Sequence, residues 1–433
     1  MSQPRTVPPQ ARAQLATFPL LEALFGRRSR RFGVGMQIPG GPFAYTSRHA
    51  PQPLSETERL LLVAIGAGIP WTESGDPNAG CNYPTRPIGR AFPSGAATHG
   101  SELLINDDSG AWITRFRDLD ATSLREYQEP DDLARLVAFL RPHIHRVRDR
   151  RVELPPEFPH VSAHNRWVAN QPGTTLFVPI ADQAESLLNL LWISTGEGVP
   201  IADPARGTLY GDPAPLIEAG RLHPERAQKL PLLEAKSVAS ATAELAIAAY
   251  NIHLVMQAIG LGGWLFSGLN PASLLGGFRD AGLPGFGFRF APAAPGTPPQ
   301  PLGLDGLFEP LVPPYVPDMA TAVRRFAARK FGPGGNYDPH RPGPLRDAEA
   351  VKGGIDRYDE AFIVYLASLA TDIHARHGSF PATVPAVHFN TVTQAQHIDL
   401  EYYDRFFKPG AYLPTHEGHQ ALWHADEAPP LGQ

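Results

Sequence analysis

The stretch Pro93-Ser94-Gly95-Ala96-Ala97-Thr98-His99-Gly100-Ser101-Glu102-Leu103-Leu104-Ile105-Asn106-Asp107-Asp108-Ser109-Gly110-Ala111-Trp112-Ile113-Thr114 decides the fold class. Leu103 to Asn106 and Ala111 to Thr114 are short apolar runs with β-formers, and Asp107-Asp108-Ser109-Gly110 between them is turn chemistry. They read as a hairpin, hence as antiparallel pairing. Ahead of it, small residues separate Arg90 from the first strand. Such residues allow a flat ligand to approach the backbone closely, and they equally make an ordinary tight loop.

Upstream, Leu20, Leu21, Leu24 and Phe25 have helical spacing that stops at Gly26, and Ser55-Glu56-Thr57-Glu58 is a capping box opening a second helix. Downstream, residues 131–149 read as helix, Thr174 to Ile180 as strand and Gln183 to Trp192 as a buried helix. Glu234 to Gly260 reads as a long Ala-rich helix with Gly260 and Gly262 as C-cap candidates. A Pro/Gly-rich arm (281–318) carries Phe286, Phe288 and Phe290. A basic amphipathic helix runs from Met319 to Phe331, and a helical pair is expected over 346–378 and 390–408. Strands are few and separated, so the fold class is α+β. The division expected is a loose tail (1–15), a main domain (16–331) and a helical C-terminal extension (332–433) rich in histidine and aromatics.

The 433 residues hold 38 basic and 43 acidic side chains, a net charge of −5, which argues against a nucleic-acid surface. With 41 glycines and 47 prolines, about a fifth of the chain, turns outnumber what a coiled coil would allow. A single cysteine, Cys81, excludes an internal disulfide. The most apolar window, Ala239 to Phe266, is interrupted by Glu244, Asn251, His253 and Gln257, which reads as a buried helix and not a membrane span. No targeting signal is legible, so cytoplasmic residence is expected.

Arg27-Arg28-Ser29-Arg30-Arg31-Phe32 places four arginines in five positions. Cations that close together repel unless an anion sits among them, and guanidinium forks match phosphate. An exposed basic turn would look the same.

Taken in order, this arginine turn, the segments Leu54-Ser55-Glu56-Thr57-Glu58, Gly68-Ile69, Arg90, Pro93-Ser94-Gly95-Ala96-Ala97 and Glu102-Leu103, and the long helix with Asn251 and its Gly260-Leu261-Gly262 ending resemble the nitroreductase family of FMN-dependent oxidoreductases. The azoline (thiazole/oxazole-forming) dehydrogenase branch is the most similar. The resemblance implies a mixed, mainly antiparallel sheet flanked by helices, FMN as cofactor, NAD(P)H as a transient donor and a homodimer. It assigns the flavin phosphate and ribityl chain to Arg27, Arg28, Ser29 and Arg31, and the ring to Pro93, Ser94, Gly95 and Ala96. Arg329 and Lys330 are positional candidates for a late phosphate contact. His99 and Tyr210 are weak candidates for substrate-facing proton donors. The residues His99-Gly100-Ser101, the arm 281–318 and the tail after 331 depart from the family pattern.

The tail holds seven of the sixteen histidines: His374, His377, His388, His397, His416, His419 and His424. No spacing in it matches a metal motif, so no metal ligand is assigned. The expected function is hydride transfer between flavin and a small organic or peptide-derived substrate. The alternatives are a flavin-free binding or scaffold protein and a metal-dependent hydrolase using those histidines.

Overall fold

A computed structural model describes residues 7–70, 82–124, 128–129, 131–291 and 300–425. Cys81 and the first six residues of the expected tail lie outside the described residues. The fold is mixed α+β, an antiparallel sheet flanked by helices. Its strands are β1 (Ser101–Asp107), β2 (Gly110–Thr114), β3 (Ile144–Arg148), β4 (Thr175–Asp182), β5 (Gly262–Phe266), β6 (Val387–His388) and β7 (Val392–Gln396). Their spatial order is β5-β7-β4-β1-β2-β3, with β6 also on β4.

The expected hairpin is β1–β2, with Leu104 opposite Ile113 and Asp107 opposite Gly110. β1 and β4 are buried along their whole length because both sheet faces are covered. Period-two alternation divides the residues. Leu103, Ile105 and Phe177 join one core with Leu61, Ile252 and Met256, whereas Leu104, Val178 and Ile180 join another with Phe286, Phe288 and Phe308. The Pro/Gly-rich arm is therefore the lining of the sheet's second face. Pro179, which offers the sheet no N–H, lies where β4 changes neighbour, with β7 paired to 175–177 and β6 to 181–182.

The helices are α1 (Pro9–Thr17), α2 (Leu20–Phe25), α3 (Glu56–Ala67), α4 (Asp131–Leu140), α5 (Gln183–Gly196), α6 (Leu230–Ile259), α7 (Met319–Phe331), α8 (Glu360–His377), α9 (Leu400–Phe406) and α10 (Pro414–Trp423), with shorter turns between. α3 starts where its capping box predicts: Ser55 Oγ accepts from Glu58 N–H and Glu58 Oε2 accepts from Ser55 N–H. α6, 30 residues and so about 45 Å long, is the axis of the molecule. It is long and apolar enough to cross a membrane by composition, yet it packs on α3, α5, β4, β5 and β7. Gly260 ends it at φ 81°, the left-handed conformation of a helix C-cap.

Three expectations change. Residues 9–17 are helix and not a loose tail, because Ala11 is fully buried against the core that α3 and α6 share. The helix expected over 131–149 stops at Leu140, and residues 144–148 become the edge strand β3. The helix expected over 390–408 is confined to Leu400–Phe406, and the segment 332–433 also supplies β6 and β7, of which β7 is an interior strand. Its Val-Thr-Gln-Ala-Gln sequence hides the strand signal because the sheet buries polar side chains with partners of their own. Thr393 Oγ donates to the Ala249 carbonyl, and Gln396 Nε2 donates to the carbonyls of Arg30 and Arg31.

Candidate functional site

Gln396 brings the site into view, because it holds the backbone of the arginine turn. α2 ends at Gly26, and the chain then pairs with β5 through the bridge Arg30–Gly263. A side chain at Gly263 would run into the Gln394 carbonyl, so glycine is required for this close approach. Arg30 is 1% exposed and anchored, donating to Gln257 Oε1 (2.6 Å), the Ala411 carbonyl (2.9 Å) and the Gly26 carbonyl (3.1 Å). The other members face outward. Arg27 lies over the Tyr250 ring at 5.9 Å, Arg31 over Trp264 at 4.0 Å, and Arg28 donates only to the carbonyls of Phe25 and Arg27. Ser29 is exposed between them.

Among the described residues, none of these four guanidinium groups forms an ion pair with a carboxylate. Burial lowers the Arg30 pKa to about 10, with Tyr403 opposing and the nearby Arg28 and Arg27 adding to the fall. Arg27, Arg28 and Arg31 are thus outward cations without an acid partner among the described residues, while Arg30 is committed to internal acceptors.

The loop from Pro93 to His99 and the residues just before it also border α6. Asn251, next to the Tyr250 that Arg27 covers, donates to the Ala91 carbonyl (2.8 Å). Gly95 packs so close to Ser240 that a Cβ would meet it at 2.9 Å. Pro93 and Gly95 are exposed, Ser94 and Ala96 half-buried, and Ser94 Oγ accepts from the His99 N–H (2.9 Å). Ala96, Ala97 and His99 have φ of 51°, 46° and 47°. Non-glycine residues in the left-handed region cost about 1–2 kcal/mol each and cluster where backbone shape is functional.

Beneath the loop Arg90 is buried, bonded to the carbonyls of Ala67 and Ser101. The Glu102 and Glu244 carboxyls are pushed up by burial, with Arg90 pulling in the other direction. The arginine turn and the small-residue loop are thus both packed against α6, the turn at Tyr250, His253 and Gln257 and the loop side at Ser240 and Asn251.

The remaining candidates do not join the arginine turn. Arg329 Nη1 lies 2.5 Å from Glu185 Oε1, a carboxylate with no exposure, and Lys330 is fully buried with its Nζ on the carbonyls of Asn82 and Tyr83 and on Asn189 Oδ1. Lys330 is taken up inside the fold, and Arg329, with 26% of its side chain exposed, is already paired with Glu185; neither joins the arginine turn. His99 is 4% exposed, and burial, aided by Arg90 and Arg86, lowers it to about 3. It stays neutral at physiological pH and supplies no imidazolium proton. Tyr210 is 1% exposed, bonded to His377 Nε2 (2.7 Å) in the core around Trp192, and burial pushes it to about 12. Neither faces substrate in this structure.

The C-terminal histidines also separate. His374, His377, His388 and His416 stand apart, whereas His397, His419 and His424 converge on the capping-box residue Glu58. The ligand-bearing atoms come from separate stretches of chain, which is why sequence spacing assigned no metal ligand. Polar cavities lie elsewhere. One of about 360 Å³ is lined by Glu102, Arg115, Arg117, Asp118, His143 and His145.

No protein-family model matches the chain, and no curated protein matches it. Among solved structures, a candidate nitroreductase from Ralstonia eutropha JMP134 aligns at 14% identity over 62% of this chain and 75% of its own, with a TM-score of 0.29. An overlap that loose assigns no family, and the reading of the site rests on the geometry above.

Proposed function

We propose that the protein is an FMN-dependent oxidoreductase with a nitroreductase-like site, moving hydride between flavin and a small organic or peptide-derived substrate. The observation that carries this reading is the arginine turn: outward-facing cations with no carboxylate partner among the described residues, on the same helix α6 against which the strained loop of small residues packs. The donor chemistry suits FMN, whose phosphate takes guanidinium forks and whose ring takes a loop without bulky side chains. When bound, flavin supplies the hydride chemistry and NAD(P)H serves as transient donor.

The chain's own residues bind and orient. Arg27, Arg28 and Arg31 neutralise the phosphate and Ser29 adds a hydroxyl. Arg30 and Gln396 keep the turn rigid, so little ordering is left to binding. The loop from Pro93 to Ala96 offers backbone along the ring. His99 and Tyr210 are withdrawn, so the substrate proton comes from water or from the substrate's own groups.

The face is open in one protomer. Leu20, Leu21 and Phe25 of α2 are 65–74% exposed, and Leu232 and Ile247 of α6 are exposed too. A second copy covering this apolar face would close the site, which supports the homodimer implied by the resemblance.

A flavin-free binding protein is the second reading, favoured by the loss of Arg329 and Lys330 from the anion site. The visible spectrum of the purified protein separates the two. Flavin bands, with FMN released on denaturation at about one per chain, are expected. A colourless protein that takes up no added FMN rejects the oxidoreductase.

A further inference from the structure

Glu58 has two tasks in the structure, and the capping box explains only one. Its Oε2 accepts from the Ser55 N–H at 2.6 Å. Its Oε1 is surrounded by three imidazole nitrogens: His419 Nε2 at 2.8 Å, His424 Nε2 at 3.1 Å and His397 Nε2 at 3.2 Å. All four donor atoms lie within 4.8 Å of one another, and the residues are 0%, 3%, 6% and 2% exposed in that order.

The hydrogen bonds on the far side of two rings settle what faces the carboxylate. His397 Nδ1 lies 3.0 Å from the Gln52 carbonyl, and His419 Nδ1 lies 2.5 Å from the Ile259 carbonyl. Carbonyls only accept, so both Nδ1 atoms carry the proton, and in a neutral ring the Nε2 is then a bare lone pair. Each lone pair points at a carboxylate oxygen, which is another acceptor. His419 Nε2 is buried without a partner in hydrogen-bond geometry. Acceptors crowded together in a dry place need either extra protons or a cation. Nδ1–H held by a backbone carbonyl with Nε2 directed inward is also the arrangement that orients metal-ligating histidines.

We propose that Glu58, His397, His419 and His424 form a buried four-ligand site for a divalent transition metal, zinc by preference, which fastens the C-terminal segment to α3. Three imidazoles and a carboxylate suit zinc, and four protein ligands complete its tetrahedron, leaving no open position for substrate. The site is therefore structural. Zinc bonds of about 2.0–2.2 Å put tetrahedral ligands about 3.3 Å apart, so the Glu58–imidazole separations of 2.8–3.2 Å widen by a few tenths of an ångström to receive the ion.

The four ligands come from α3, from the residue after β7, from α10 and from the turn beyond α10. One ion cross-links elements more than three hundred residues apart in sequence. Thr415 and His419, on the same helix, also donate to the carbonyls of Gln257 and Ile259 at the end of α6. The metal would thus lock the helix that caps α6.

Metal analysis of the full-length chain tests this whether or not flavin is bound. The chain is stripped with EDTA and then titrated with Zn(II) or Co(II). About one ion per chain is expected, with the intense visible bands of tetrahedral Co(II) and a rise in Tm on adding Zn(II). His424→Ala and His397→Ala should lose the ion, whereas His374→Ala, on α8 outside the cluster, should keep it. Folded wild-type protein that binds neither metal, with the same Tm in EDTA and in Zn(II), overturns the proposal. So does loss of the ion in His374→Ala to the same extent as in His424→Ala.

Discussion

Two groups of arginines in this molecule have opposite fates. Arg86, Arg117 and Arg329 meet acids inside the fold: Arg86 and Arg329 on Glu185 at 2.5 Å each, and Arg117 on Asp182 at 2.8 Å. Arg27, Arg28 and Arg31 meet none among the described residues, and face outward over aromatic rings or backbone carbonyls. Residue type is the same in both groups; the partner differs. A buried, paired arginine is architecture, since removing one member leaves an uncompensated charge in a dry place. An arginine without an acid, held rigid beside others, is a receptor for an anion that the chain itself does not supply.

The comparison makes its strongest demand on the buried group. Glu185→Ala would leave Arg86 and Arg329 to share the longer contacts to Asp118, at 3.4 and 3.8 Å, and should cost about 3 kcal/mol in urea unfolding; a change below about 1 kcal/mol would mean that these pairs are not structural. For the outward group the loss should fall on binding. Arg27→Ala combined with Arg31→Ala should weaken FMN binding at least tenfold, since each charge-assisted hydrogen bond is worth about 1.5–3 kcal/mol. The same double change should move unfolding by no more than about 0.5 kcal/mol. Unfolding and FMN titration on both variant sets would show whether stability and binding separate in this way.

Acid gives a further contrast. His253, beneath the arginine turn, is lowered from 6.5 to about 4 by burial, with Arg27 adding to the fall. A histidine lowered on folding takes up its proton in the unfolded chain first. Its contribution is therefore complete above pH 6.5 and declines as pH falls from 6.5 toward 4. Stability measured across that interval should drop, and His253→Gln should flatten the slope. The smallest effect is expected at Ala97, whose φ of 46° is strained for alanine. Ala97→Gly should be neutral or stabilising by up to about 1 kcal/mol, read as a shift in urea midpoint.

What was legible in the sequence follows the same division between local and distant causes. The β1–β2 hairpin, the capping box of α3, the end of α6 at Gly260 and the basic helix α7 rest on short-range patterns, and each is where the pattern put it. β7 was not legible, because Thr393, Gln394 and Gln396 are polar and their burial depends on partners up to 366 residues away. The pairing of Arg329 was not legible for a related reason: charge is visible in a sequence, but the Glu185 that Arg329 meets is 144 residues distant. His397, His419 and His424 could be noticed only as an excess of histidine. Their common partner, Glu58, was already accounted for as a helix cap, and a residue with one clear role hides a second.

The most direct test is an FMN titration of the wild-type chain beside the Arg27→Ala/Arg31→Ala double variant, both shown to be folded by urea denaturation. The account expects saturable binding at about one FMN per wild-type chain and at least tenfold weaker binding in the variant, with unfolding midpoints nearly superimposed. Equal FMN affinity in the two proteins, or no binding by either, would contradict it.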